Sequence, residues 1–140
     1  MTYALAWPLQ EAVFAALQAH AGVTAIVGTR IYDAAPHAAN VPDPLEDYVT
    51  LGEELVRPFN TADGIGGTHD FAVTVHSGRD GFQRSKALAG AICDALIDAP
   101  LALSRGRLVA LRFVQAQALR GRAPERRRVV LRFRAVIEDA

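Results

Sequence analysis

The sequence predicts an α+β fold: a largely antiparallel four-stranded sheet with two main helices packed on one face, in the order helix, strand, strand, helix, strand, strand. Three observations predict it. Apolar residues recur at helical spacing in "WPLQEAVFAALQAH" and "GFQRSKALAGAICDALIDAP". They alternate in "DYVTLGEELVRP", "HDFAVTVH", "GRLVALRFVQAQAL" and "ERRRVVLRFRAVIED", and Pro or Gly stands at the junctions. With 140 residues, 51% of them hydrophobic and 21% charged, residues 1–140 are expected to form one domain.

Leu9, Val13, Ala16, Leu17 and His20 fall on one helical face. Pro8 suits the first turn and Gly22 the stop, so the first helix covers about 8–20. "VTAIVG" adds a short helical turn closed by Gly28, and "RIYDAAPHAANVPDPLED" reads as a Pro-rich connection. The first strand spans about 47–56, ends at Pro58 and runs into a Gly-rich loop, "FNTADGIGGT". In the second strand, 69–76, Phe71, Val73 and Val75 share one face, while Asp70, Ala72, Thr74 and His76 share the other. Asp80 followed by Gln83 reads as a capping box. Ala89, Ile92, Leu96 and Ala99 then give the second helix a buried stripe until Pro100. The last two strands form a hairpin through "RGRAPE". Val109, Leu111, Phe113, Val129, Leu131, Phe133 and Ile137 face the core, and Arg112, Arg128, Arg132 and Arg134 load the opposite face.

The net charge of zero conceals a division. Residues 1–100 hold 5 Lys or Arg against 12 Asp or Glu, whereas 101–140 hold 10 against 3. Such asymmetry suits a nucleic-acid surface, or copies meeting basic side to acidic side. Cys93 is the single cysteine, which excludes an intramolecular disulfide and a multi-cysteine zinc knuckle and suits an intracellular chain. The apolar N-terminus has no Lys or Arg before Arg30 and is interrupted by Pro8 and Glu11, so it reads as a helix of the mature protein rather than a signal peptide. No apolar stretch has the roughly 18 residues that span a bilayer, so no membrane partner is expected.

"GTHDFAVTVHSGRDGF" crowds His69, Asp70, His76, Ser77 and Asp80 together. Two histidines seven apart on a strand point to opposite faces, roughly 23 Å apart, and cannot share a metal. Asp70 and His76 share a face but lie roughly 20 Å apart along the strand, too far for a dyad. "DGIGGTHD" resembles part of a dinucleotide fingerprint, yet it leads into a strand where that motif needs a helix. No enzyme, cofactor, metal or catalytic residue is therefore assigned. Cys93, beside Ile92, reads as a small buried hydrophobe. The arginine face fits a solvated surface, a phosphate-binding surface or a protein interface. The even positions of the last two strands carry no aromatic side chain on which RNA bases could stack.

The layout of a first helix, "VGTRIYDAAP", "DYVTLGEE", a Gly-rich loop, "HDFAVTVHSGRDGF" entering a helix, and the strands "LVALRF" and "VVLRFRAVIED" resembles the tail completion, or tail terminator, proteins of long-tailed phages. The resemblance covers about residues 9–138. It implies a non-enzymatic virion protein that forms a ring, typically of six copies, at the head-proximal end of the tail tube, stops tube polymerisation and offers a head-joining surface. The partners so implied are further copies of itself, the tail tube protein, and the head connector or stopper, with DNA passing through the channel. The location is a phage, prophage or gene-transfer-agent particle, reached from the bacterial cytoplasm. On this reading Arg112, Arg128, Arg132 and Arg134, with Arg126 and Arg127, meet acidic residues such as Glu53, Glu54 and Asp63 of a neighbouring subunit or tube protein. The loop 57–68 is expected to be mobile until it orders against a neighbouring ring. A small nucleic-acid-binding α+β domain is the alternative.

Overall fold

Each helix of the chain buries one stripe, and all the buried stripes meet the same face of a single sheet. A computed structural model of the chain describes residues 3–33, 47–61, 64–78, 82–97, 99–120 and 127–139. The order is α1 (Ala6–Ala19), α2 (Ala21–Val27), β1 (Ile31–Tyr32), β2 (Tyr48–Thr61), β3 (Gly64–Ser77), α3 (Gln83–Leu96), β4 (Arg107–Arg120) and β5 (Arg127–Glu138). The class is the expected α+β, but among the described residues the sheet has five strands rather than four, is mixed, and is accompanied by three helices. Its order is β1-β2-β3-β5-β4, with β1 parallel to β2 and the other neighbours antiparallel. β3 and β4 are both antiparallel to β5, so they run parallel to each other with β5 inserted between them, and the connection through α3 crosses over that strand.

α1 forms where Leu9, Val13 and Leu17 recur along one buried face, and Pro8 sits in the first turn, where its missing N–H has no intrahelical partner to lose. The turn expected from "VTAIVG" is the two-turn α2, stopped by Gly28 at φ 57°. α3 begins at Gln83 with Phe82 at its N-cap and no side-chain cap. The expected capping box is therefore not its start, and Asp80 lies outside the described residues. The carboxylate of Asp47 bridges to Arg84 in the first turn of α3 instead, tying the helix start to the entrance of β2. Arg30 reaches the same place, donating to the carbonyls of Asp47 (2.8 Å) and Ile26 (3.1 Å).

The largest departure from expectation is the Gly-rich stretch. Pro58 does not end β2, and Phe59 to Thr61 pair with Gly64 to Gly66, so the segment read as a loop is a long β2–β3 hairpin. The glycines there make room for a ring: a Cβ on Gly66 would lie 2.6 Å from Cζ of Phe59. Residues 62 and 63 lie outside the description.

The core lies between sheet and helices. Leu5, Leu9, Val13 and Leu17 of the N-terminal segment, Val23 and Val27 of α2, and Leu88, Ile92 and Leu96 of α3 pack on Val49, Val73, Val75, Val129, Leu131, Phe133 and Ile137. β5 alternates as expected, with every odd position from Val129 to Ile137 buried. β4 does not. Bulges between Leu108 and Ala110 and between Phe113 and Gln115 shift its phase twice, leaving Val109 and Val114 as extra residues that are 47% and 46% exposed. Phe113 does face the helix side, edge-on to Phe133 at 6.0 Å, but its place on the outermost strand leaves it 44% exposed.

Candidate functional site on the open face of the sheet

With every described helix on one side, no described element covers the opposite face of the sheet, and the basic C-terminal hairpin contributes most of its charge. Along β5, Arg128, Val130, Arg132, Arg134 and Val136 point to this face. Their neighbours on β3 are His76, Thr74, Ala72, Asp70 and Thr68 in turn. Arg112 of β4 lies directly across from Arg134. Two like charges at such a position repel, and the conflict is relieved from the other side of β5. Arg134 donates to both carboxylate oxygens of Asp70, at 2.7 and 3.3 Å, and the bonded carboxylate raises its pKa further. Arg132 stands 3.9 Å from Glu53 of the same chain.

Arg112 and Arg128, in contrast, are exposed and have no ion-pair or hydrogen-bond partner among the described residues. Arg112, Arg128, Arg132 and Arg134 thus fall into two classes on one surface. Arg127 is on the other side, its guanidinium 5.5 Å from the ring of Phe82 at the start of α3. Arg126 and Asp63 lie outside the described residues. Glu53 and Glu54 also part company: Glu53 turns to Arg132 on the open face, whereas Glu54 accepts a hydrogen bond from the Tyr3 hydroxyl beside α1. That carboxylate pushes the Tyr3 pKa up.

Two features of this face were hidden in the sequence. First, the bulge in β2 between Leu51 and Glu54 and the bulge in β4 between Phe113 and Gln115 flank the same cross-strand row, Ala72 and Arg132. They accentuate twist at that row and frame a trough with Glu53 and Leu55 at one lip, Val114 and Gln115 at the other, and Asp70, Arg132 and Arg134 on the floor. Period-two reading has no signal for a bulge. Second, Tyr48 stacks on His76 at 4.4 Å, and His76 Nε2 meets Thr50 Oγ1 at 3.0 Å, which puts a polar aromatic pair one strand from Arg128. That pair joins residues 28 positions apart in the chain and becomes visible once the register of β2 on β3 is known.

The histidines of "GTHDFAVTVHSGRDGF" part as their spacing demands. His69 is buried on the helix side and His76 is on the open face. "DGIGGTHD" leads into β3, not into a helix. Cys93 is half-buried, and burial, reinforced by Asp94, pushes its thiol pKa up and away from the nucleophilic thiolate. Among the described residues no three His, Cys, Asp or Glu side chains gather as metal ligands, and no helix is long and apolar enough to cross a membrane. The arrangement is a surface of fixed charges along strands and suits contact with another macromolecule.

Comparison with known proteins agrees in direction. No curated protein sequence matches the chain. Among solved structures, it is similar to a chain from the virion of a native gene transfer agent particle, with 46% sequence identity and a TM-score of 0.86 over 98% of this chain and 99% of that one. The profile of a family described as tail completion protein gp17 matches residues 11–138. Nearly the whole fold described above lies within that match, and the chain belongs to the tail completion protein gp17 family.

Proposed function

We propose that this protein is a structural component of a phage-like tail: copies of the chain form a ring, of six subunits, at the head-proximal end of the tail tube. The ring ends tube polymerisation and offers the surface that receives the head connector or stopper. Its partners are then its own copies, the tube protein and the connector, with DNA passing along the channel, and it works in the particle after assembly in the bacterial cytoplasm. The observation that carries this reading is likeness at 46% identity, end to end in both chains, to a gene-transfer-agent virion chain. The reading is of a single structural domain and not an enzyme, and the open face suits it: the charged groups on the floor of its trough are drawn to one another along the strands, Arg134 to Asp70 and Arg132 to Glu53.

The nucleic-acid alternative draws less support from the same face. Arg132 and Arg134 approach carboxylates of their own chain, and Tyr48 and His76 stack on each other rather than standing free for bases. The deciding experiment deletes the gene in a producing host and measures tail length and head attachment by electron microscopy. Overlong tails, or tails of normal length without heads, are expected. Normal infectious particles would sink the proposal.

A further inference from the structure

Among the described residues the sheet ends in two open edges. β4 is the last strand on one side, with no strand beside its outer rail among the described residues. On the other side β1 pairs with Val49 and Thr50 and the carbonyl of Asp33 comes close to Gly52, so among the described residues no strand lies beside β2 from Glu53 onward. β4 is a 14-residue edge, and an unprotected edge of that length is a template for another strand. The exposed apolar side chains gather at these same two places. Of the eight large apolar residues most exposed among those described, Val109, Phe113 and Val114 lie on β4, and Tyr3, Trp7 and Leu55 lie on or beside the open part of β1 and β2. Their charges differ, although exposed Arg57 also lies on β2 beyond the two carboxylates. The β4 edge carries Arg112, which has no partner among the described residues, and the β2 edge carries Glu53 and Glu54. Two different patches, both apolar and of complementary charge, on opposite sides of one subunit suit head-to-tail contact and not a twofold one.

We propose that the β4 edge of one copy docks on the β2 edge and N-terminal turn of the next, with Phe113 and Val114 against Leu55 and Tyr3, and Arg112 toward Glu53 and Glu54. This rests on the ring reading above and assigns its subunit contact. The sheets then continue from copy to copy, and every arginine face looks to the same side of the ring.

The test places the photo-crosslinking amino acid p-benzoylphenylalanine at position 113, an exposed aromatic site, in a producing host that lacks the native gene. Purified particles are irradiated, and the adducts are sized and sequenced. The expected product is a covalent dimer, twice the 15.0 kDa of the chain, in which position 113 is joined to a tryptic peptide from residues 1–30, or to the part of peptide 31–79 that precedes Pro58, of another copy. A dimer joined elsewhere, an adduct with a different particle protein, or particles that contain the variant without any adduct would overturn the edge contact and leave the ring reading standing. If the unmodified protein is missing from purified particles, the ring reading fails, and this contact with it.

Discussion

His69 is completely buried, with neither ring nitrogen hydrogen-bonded among the described residues, and burial lowers its pKa below the ordinary 6.5 despite the opposing fields of Glu54 and Asp70. A group whose folded pKa lies below its unfolded value binds its proton more readily when the chain unfolds. The wild type should therefore lose stability as pH falls through the mid-sixes towards the lowered folded pKa. Replacing His69 with Leu removes two unsatisfied polar atoms at similar volume. The variant is expected to be more stable by about 1 kcal/mol at neutral pH. Its advantage should widen on going from pH 7.5 to pH 5.5, as read by denaturant unfolding at both. A constant difference would show that His69 does not titrate with unfolding.

At the scale of elements, the β2–β3 hairpin is where sequence and structure differ most, and glycine is the cause. A Cβ on Gly66 would press on the carbonyl of Ile137 and on the Phe59 ring, so Gly66→Ala is expected to destabilise by about 1–3 kcal/mol. Gly90, exposed in the middle of α3 with nothing near its absent Cβ, is the control: Gly90→Ala should stabilise by up to about 1 kcal/mol. Urea unfolding that shifted both variants in the same direction would refute this account of the hairpin. The two glycines read alike in sequence, because what distinguishes them is a ring on the paired strand and a carbonyl 71 residues away. α1, α3 and β5 were legible because burial on one side repeats with a fixed period, as Ile92 and Leu96 or Leu131 and Phe133 show. β4 was legible as a strand but not in its phase, since two bulges insert Val109 and Val114 out of step. β1 went unseen, a two-residue strand defined by its pairing with Val49 and Thr50 rather than by any pattern of its own. The arginine face was readable from alternation along β5, whereas the carboxylates that neutralise half of it come from β2 and β3 and needed the register.

Across the whole molecule, the charge division along the chain is partly spent inside it. Asp70 and Glu53, from the acidic part, approach Arg134 and Arg132 of the basic part, and Asp47 engages Arg84. What is left for a partner is therefore smaller than the sequence total and includes cations without counter-charges among the described residues, among them Arg112 and Arg128 on the open face. This separates two double variants that sequence alone would treat as equivalent. Arg112→Glu with Arg128→Glu breaks no described contact, and even relieves the opposition of Arg112 to Arg134. The stability of that variant should stay within about 0.5 kcal/mol of wild type. Arg132→Glu with Arg134→Glu sets new carboxylates beside Glu53 and Asp70, replacing two exposed ion pairs with repulsion, so this variant should be less stable than the first. If the open cations meet acidic surface on a neighbouring copy or on the tube, the first variant is expected to fold normally yet be lost from purified particles by at least tenfold, whereas loss of the second reflects both folding and contact. Normal incorporation of the Arg112 and Arg128 variant, with its thermal midpoint unchanged, would remove this face from the assembly contacts.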